Sequence, residues 1–137
     1  MSPAPMPPVP SPALSIVAPC YNEAEGLREF HRRVSAAAAG ACGDAHEIVL
    51  VDDGSRDGTW DVIAALAAED PHVAGVRLMR NYGHQPAASA GLALARGARV
   101  MLIDSDLQDP PELLGPMMQR MDEGADVVYG QRTSRQA

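Results

Sequence analysis

Glu47–Val51 reads EIVLV and runs directly into Asp52-Asp53-Gly54-Ser55-Arg56-Asp57-Gly58-Thr59, and this stretch decides the fold. A short β-branched run closed by turn residues predicts a strand. Helical spacing takes over after Asp57, with Val62, Ile63 and Leu66 on one face. The same alternation extends in both directions. Upstream, Leu14–Ala18 (LSIVA) predicts a strand, and Asn22-x-x-Glu25 reads as a capping box opening a helix with apolar positions Leu27, Phe30, Val34 and Ala38. Downstream lie Val73–Leu78 (VAGVRL), an Ala-rich helix from about Gln85 to Ala98, and Val100–Ile103 (VMLI). A fourth helix opens at Asp109-Pro110-Pro111-Glu112, with Leu113, Leu114, Met117, Met118 and Met121 as its buried face, and Asp126–Tyr129 (DVVY) reads as a fifth strand. Strand and helix in strict succession predict an α/β fold, a mainly parallel sheet with flanking helices.

Composition narrows the function. The chain has 137 residues, enough for one domain with one core. Aromatic residues make up only 4%, so the core is expected to be aliphatic. The formal charge is −7, and all 11 basic residues are arginine. An acidic chain with no basic stripe argues against nucleic acid as the main partner and suits a protein that gathers carboxylates around a cation. Cys20 and Cys42 have no metal-binding spacing, and a reducing compartment is expected. No secretory signal or membrane-spanning run is present in the sequence. Residues 1–13 hold half of the 12 prolines and are expected to be a disordered tail, leaving 14–137 as the domain.

In an open parallel sheet, ligands bind beyond the carboxyl ends of the strands. Here those ends are polar throughout. Asp104 and Asp106 follow the fourth strand at i and i+2, where side chains point the same way. Two carboxylates held together repel unless a cation lies between them, and Mg²⁺ or Mn²⁺ takes oxygen ligands of this kind while completing its shell with water and phosphate. The pair taken alone reads equally well as turn and capping acids, a role that suits Asp109. Acids converging from neighbouring strands favour a ligand site. Asp52-Asp53-Gly54 fits a plain Asp-Gly turn, yet that does not explain two successive acids at a buried strand end. A carboxylate there can accept a hydrogen bond from a pyrimidine imide or a guanine amide edge. Tyr21 can border a base, and Glu23 can either serve the site or favour the first helix's N-terminus. Arg80 and Arg132 are candidates for phosphate contacts. His84 can touch a phosphate or simply fill its loop.

Four segments together, Ser15–Glu23 (SIVAPCYNE), Ile48–Thr59 (IVLVDDGSRDGT), Arg80–Ala87 (RNYGHQPA) and Asp104–Glu112 (DSDLQDPPE), resemble family 2 glycosyltransferases of the GT-A (Rossmann-like) fold. The resemblance is greatest to the subgroup of dolichol-phosphate mannose synthase and the bacterial polyprenyl-phosphate glycosyltransferases, and it covers about residues 14–135. It implies that Pro19, Tyr21, Glu23, Val51 and Asp53 line a nucleoside pocket. Asp104 and Asp106 would be the DxD pair at a diphosphate-bound Mg²⁺ or Mn²⁺, with Gln108 completing the metal site, and Ser105 would contact the nucleotide. Arg132 would face the phosphates or the acceptor, and the nucleotide-sugar site would include Arg80.

The implied reaction is inverting transfer of a sugar from a UDP-sugar or GDP-mannose to a polyprenyl phosphate, on the cytoplasmic side or at the cytoplasmic face of the membrane. The chain stops just after the fifth predicted strand, so the acceptor side and the membrane contact are expected in a missing C-terminal part. Two alternatives stay open: a catalytically inactive nucleotide-binding fragment, and a transferase with a saccharide acceptor. A signalling receiver domain would place its acids after the first and third strands and needs a lysine. A dinucleotide enzyme needs G-x-G-x-x-G where this chain has PCYNEAEG.

Overall fold

The computed structural model describes residues 11–130. In chain order the elements are β1 (Leu14–Cys20), α1 (Leu27–Cys42), β2 (His46–Asp52), α2 (Thr59–Glu69), β3 (Val73–Arg77), α3 (His84–Leu94), β4 (Arg99–Leu102), a 3₁₀ turn (Pro111–Leu113) and α4 (Leu114–Asp122). The four strands stand in the order β3-β2-β1-β4 and every pairing is parallel. The chain moves outward from β1 through β2 to β3, then returns across the sheet to place β4 on the other side of β1. That reversal puts a topological switch point between β1 and β4.

Alternation along the strands divides the core in two. Ile16 and Ala18 of β1 and Ile48 and Leu50 of β2 face one way, packing with Leu27, Phe30 and Val34 of α1, Ile63 and Leu66 of α2, and Leu114 of α4. Val17, Val49 and Val51 face the other way, against Ala87 of α3. Every residue of β1 and β2 is buried because helices cover both faces. α3 lies very close to the sheet: a Cβ on Gly91 would meet Val17 Cγ1 at 2.4 Å.

Several expectations need correction. α1 starts at Leu27 rather than at Asn22, and Asn22–Glu25 is not its capping box. The amides of Asn22 and Ala24 instead bond to Ser55 Oγ and Asp57 Oδ2 of the β2–α2 loop, and that of Glu23 to Thr59 Oγ1 at the start of α2, which holds this stretch out of the helix. α3 ends at Leu94, not near Ala98. The methionine face of α4 is only partly covered, with Leu114 as its one buried residue. The backbone at Pro12 and Ala13 is tied to the sheet: the Ala98 and Arg99 amides donate to the carbonyls of Pro12 and Ala13, at 3.2 and 3.0 Å. Residues 1–10 lie outside the described residues.

The expected fifth strand is the largest departure. Among the described residues the sheet has four strands, and Asp126–Tyr129 joins no ladder. A strand needs a partner for its backbone polar groups, and here Val127 and Tyr129 are 78% and 83% exposed. Val128 and Tyr129 instead border an apolar groove of about 440 Å³ beside β4, floored by Met117, Met118 and Met121.

Candidate functional site

A second cavity, a cleft of about 390 Å³, opens on the carboxyl rim of the sheet. Pro19, Tyr21 and Glu23 enter it from the end of β1, and Asp104, Ser105 and Asp106 from the end of β4. It therefore lies at the switch point between those two strands, where an open α/β sheet leaves a crevice. Asp53 just after β2, Asn81 and Gly83 from the β3–α3 connection and His84 at the start of α3 close its other side.

The walls are held by side chains reaching between loops. Ser105 is buried, and its hydroxyl donates to the Pro19 carbonyl at 3.0 Å, pinning the end of β4 to that of β1. Asp53 is also buried, and both of its carboxylate oxygens are engaged. Tyr82 N donates to Oδ1 at 2.8 Å, while Gly83 N and Asn81 Nδ2 donate to Oδ2 at 3.1 Å. Asp53 thus clamps the β3–α3 loop. Ser55, Asp57 and Thr59 hold the β1–α1 loop in the same way. Asn22 Oδ1 returns the contact by accepting from the Arg56 amide at 2.9 Å.

The chemistry of the cleft is acidic. Burial pushes the Glu23 carboxyl above its ordinary value, and the negative charges of Asp106 and Asp57 push it the same way. Glu23 and Asp106, from the two strand ends, therefore sense each other across the opening. The Asp106 carboxylate is oriented by its own turn, accepting from Gln108 N at 3.1 Å. Asp104 pairs with His84, Nε2 to Oδ1 at 2.6 Å. Burial pushes the Cys20 thiol up to about 12; the hydrogen bond with Ser105 opposes this, and the charges of Asp52 and Glu23 add to it. Cys20 is consequently a neutral wall of the site and not a thiolate nucleophile.

Among the described residues, no three His, Cys, Asp or Glu side chains already form a metal cage. Mg²⁺ and Mn²⁺ sites commonly need only one or two carboxylates, with water and substrate phosphate supplying the rest. Asp104 and Asp106 on one rim, with Glu23 facing Asp106, suit such an ion by charge and by donor type.

The structure gathers Pro19, Tyr21, Glu23, Asp53, Asp104, Ser105 and Asp106 at one cleft. It does not bring Val51, Arg80 or Gln108 to the lining. Val51 alternates onto the α3 face of β2 and is fully buried there, so its side chain cannot line a nucleoside pocket. The Arg80 guanidinium lies 4.8 Å over the Tyr82 ring, a cation–π contact. The Gln108 side chain is exposed, and only its backbone takes part. Arg132 lies outside the described residues. No sequence pattern points to a role for Asn81, and the His84 loop reads equally as a phosphate contact or as filler. Their partners are carboxylates 28 and 20 positions away, and no local pattern announces such a contact.

The profile described as Glycosyl transferase family 2 matches residues 15–137. The undecaprenyl-phosphate 4-deoxy-4-formamido-L-arabinose transferase of Shewanella sediminis is 45% identical over 124 residues, which are 90% of this chain and 37% of that protein. The protein of the same description from Pseudomonas aeruginosa PAO1 is 45% identical over 132 residues, 96% of this chain and 39% of its own length. The chain thus spans under two fifths of these relatives. Among solved structures, the mannosyltransferase PcManGT from Pyrobaculum calidifontis in complex with GDP-Man and Mn²⁺ superposes with a TM-score of 0.62 at 28% identity, over 69% of this chain and 28% of that one. S. aureus TarS 1–349 in complex with UDP-GlcNAc gives 0.65 at 26% identity, over 80% and 31%.

Proposed function

This chain belongs to glycosyl transferase family 2, and from that membership we propose that it forms the donor side of an inverting, metal-dependent transferase that moves a sugar from a nucleotide-sugar to a polyprenyl phosphate. Its sheet and flanking helices are those of a GT-A glycosyltransferase. The observation that carries the proposal is the meeting of Glu23, Asp104 and Asp106 at the switch-point cleft. The names of the relatives support the polyprenyl acceptor, and the GDP-Man and UDP-GlcNAc complexes of structural neighbours support the donor class.

Asp104 and Asp106 would hold Mg²⁺ or Mn²⁺. Such an ion supplies charge stabilisation to a departing nucleoside diphosphate. The chain's own residues bind and orient. Half-exposed Tyr21 borders the place for the base. Asp53 acts through the loop it clamps, since its oxygens already accept from Asn81, Tyr82 and Gly83. The Ser105–Pro19 contact keeps the β4 acids in register with β1. On the family resemblance alone, Gln108 would complete the metal site and Arg132 would face the phosphates or the acceptor. A polyprenyl phosphate oxygen would attack the anomeric carbon from the face opposite the leaving diphosphate. A phosphomonoester with a second pKa of about 6 is largely dianionic at neutral pH, so the attack needs little help from a base.

No helix among the described residues is long and apolar enough to cross a membrane. On the family resemblance, the acceptor's membrane contact, at the cytoplasmic face, is assigned to sequence outside residues 11–130.

Calorimetry with UDP and GDP tests the donor side. Mn²⁺ should strengthen binding of one of them, Asp106→Asn should weaken that linkage by about tenfold, and Asp109→Asn should leave it nearly unchanged. Equal effects of the two substitutions would remove the metal assignment. Release of UDP or GDP in the presence of a short-chain polyprenyl phosphate and a panel of nucleotide-sugars, with Asp104→Ala as the control, tests the transfer.

A further inference from the structure

We infer that His84 is the positioning residue that aims the Asp104 carboxylate into the cleft. The inference rests on the donor-side reading above and assigns a role to a residue which that reading leaves idle.

Both ends of the contact are anchored. His84 is the first residue of α3, a helix packed so closely on the sheet that Gly91 has no room for a side chain. The three residues before it are held by Asp53 through one side-chain and two backbone donors. On the other side, Asp104 precedes Ser105, whose hydroxyl is buried against the Pro19 carbonyl. The contacts run from the end of β2 through the α3 N-terminus above β1 to the end of β4. They make the direction of the His84 ring, and so of the carboxylate it meets, a property of the fold.

Chemistry gives the contact its purpose. Asp106 is oriented by its neighbour Gln108, whereas Asp104 has His84 as its hydrogen-bond partner among the described residues. Nε2–H donating to Oδ1 at 2.6 Å leaves Oδ2 open to a cation. Groups that orient a ligating carboxylate in this way tune affinity without touching the ion. The pair adds little to fold stability, because His84 and Asp104 are 59% and 44% exposed and solvent screens them. Its geometric consequence is therefore separable from any structural one.

The experiment uses the 137-residue chain, Mn²⁺ alone as the probe, and urea unfolding alongside. Mn²⁺ affinity is read by electron paramagnetic resonance, and the site by paramagnetic broadening of the Ser105 amide. His84→Ala should weaken Mn²⁺ binding roughly 10–100-fold while the urea midpoint stays in place, and His84→Gln, which keeps a donor at similar reach, should recover to within about threefold. In an Asp104→Asn background, His84→Ala should add nothing further, because the two act as a unit. Unchanged or tighter Mn²⁺ binding by His84→Ala, additive losses in the double variant, or a urea midpoint that falls in step with affinity would each overturn the inference. Failure of the unmodified chain to bind Mn²⁺ at the cleft, alone or with UDP or GDP, would overturn the metal reading and this inference together; binding that is indifferent to His84 overturns the inference alone.

Discussion

Asp70 lies outside the cleft, where α2 gives way to β3. His31 Nε2 meets one of its carboxylate oxygens and His72 Nδ1 the other, each at 2.8 Å, and the His72 amide adds a third contact at 2.9 Å. Burial pushes the Asp70 carboxyl up, but the His72 amide and the two rings outweigh it and hold the group at about 2, below the ordinary 3.8. A carboxylate whose value is depressed by folding contributes stability above its unfolded value and loses it as pH falls through the folded one. Asp70 should therefore contribute about 2 kcal/mol at neutral pH, lost progressively between the ordinary 3.8 and about 2. Asp70→Asn should lower stability at pH 7 by that order and flatten the acid limb of the profile, as measured by urea unfolding at a series of pH values. An acid limb identical to that of the unmodified chain would show that the histidines do not hold the charge. Neither His31 nor His72 had a motif around it, because the contact depends on α1 and the α2–β3 turn meeting in space.

At the scale of elements, the β2–α2 and β3–α3 loops meet backbone to backbone next to Asp53. Gly54 has φ +66°, and a Cβ there would stand 2.3 Å from both the Arg80 carbonyl carbon and the Asn81 amide nitrogen. Both obstacles are backbone, so neither can swing aside as a flexible side chain would. The Asp-Gly turn evident in the sequence is real, and its second reason is this close approach. Gly54→Ala should cost roughly 2–4 kcal/mol, combining a left-handed backbone with a clash. The same change should also displace the loop that Asp53 clamps, so chemical shifts of Tyr82 and Gly83 should move along with the fall in the urea midpoint. Retention of both would mean that the loops have slack which the geometry does not suggest.

For the molecule as a whole, the sheet among the described residues ends in an edge strand on each side, β3 and β4. β1 and β2 are sealed, while β4 carries Val100 and Leu102 at 43% and 48% exposure beside the methionine-floored groove. An unpaired parallel edge next to apolar surface invites association. The 137-residue chain should self-associate at high micromolar concentration, and Leu102→Lys should shift it towards monomer in sedimentation velocity, with little effect on Mn²⁺ binding at the carboxyl rim. A chain that is monomeric throughout would show that the groove is covered in solution.

Four strands alternating with four helices, the inward helix face Leu27-Phe30-Val34-Ala38 and the arrival of Asp104 and Asp106 at a strand end were legible in the sequence alone. These follow from local geometry, since helix and strand periods are imposed by the backbone and appear in any window a few residues wide. Which polar residues line the cleft and which build its walls depends on contacts between distant loops. Ser105 meets Pro19 across 86 positions, Tyr82 meets Asp53 across 29, and His84 meets Asp104 across 20. Each contact exists because the strand order β3-β2-β1-β4 sets separate loops side by side, and no local period encodes that order. The same reason accounts for Asp126–Tyr129: its residues suit a strand, but a strand is completed by a neighbour's hydrogen bonds, and among the described residues none lies alongside to supply them.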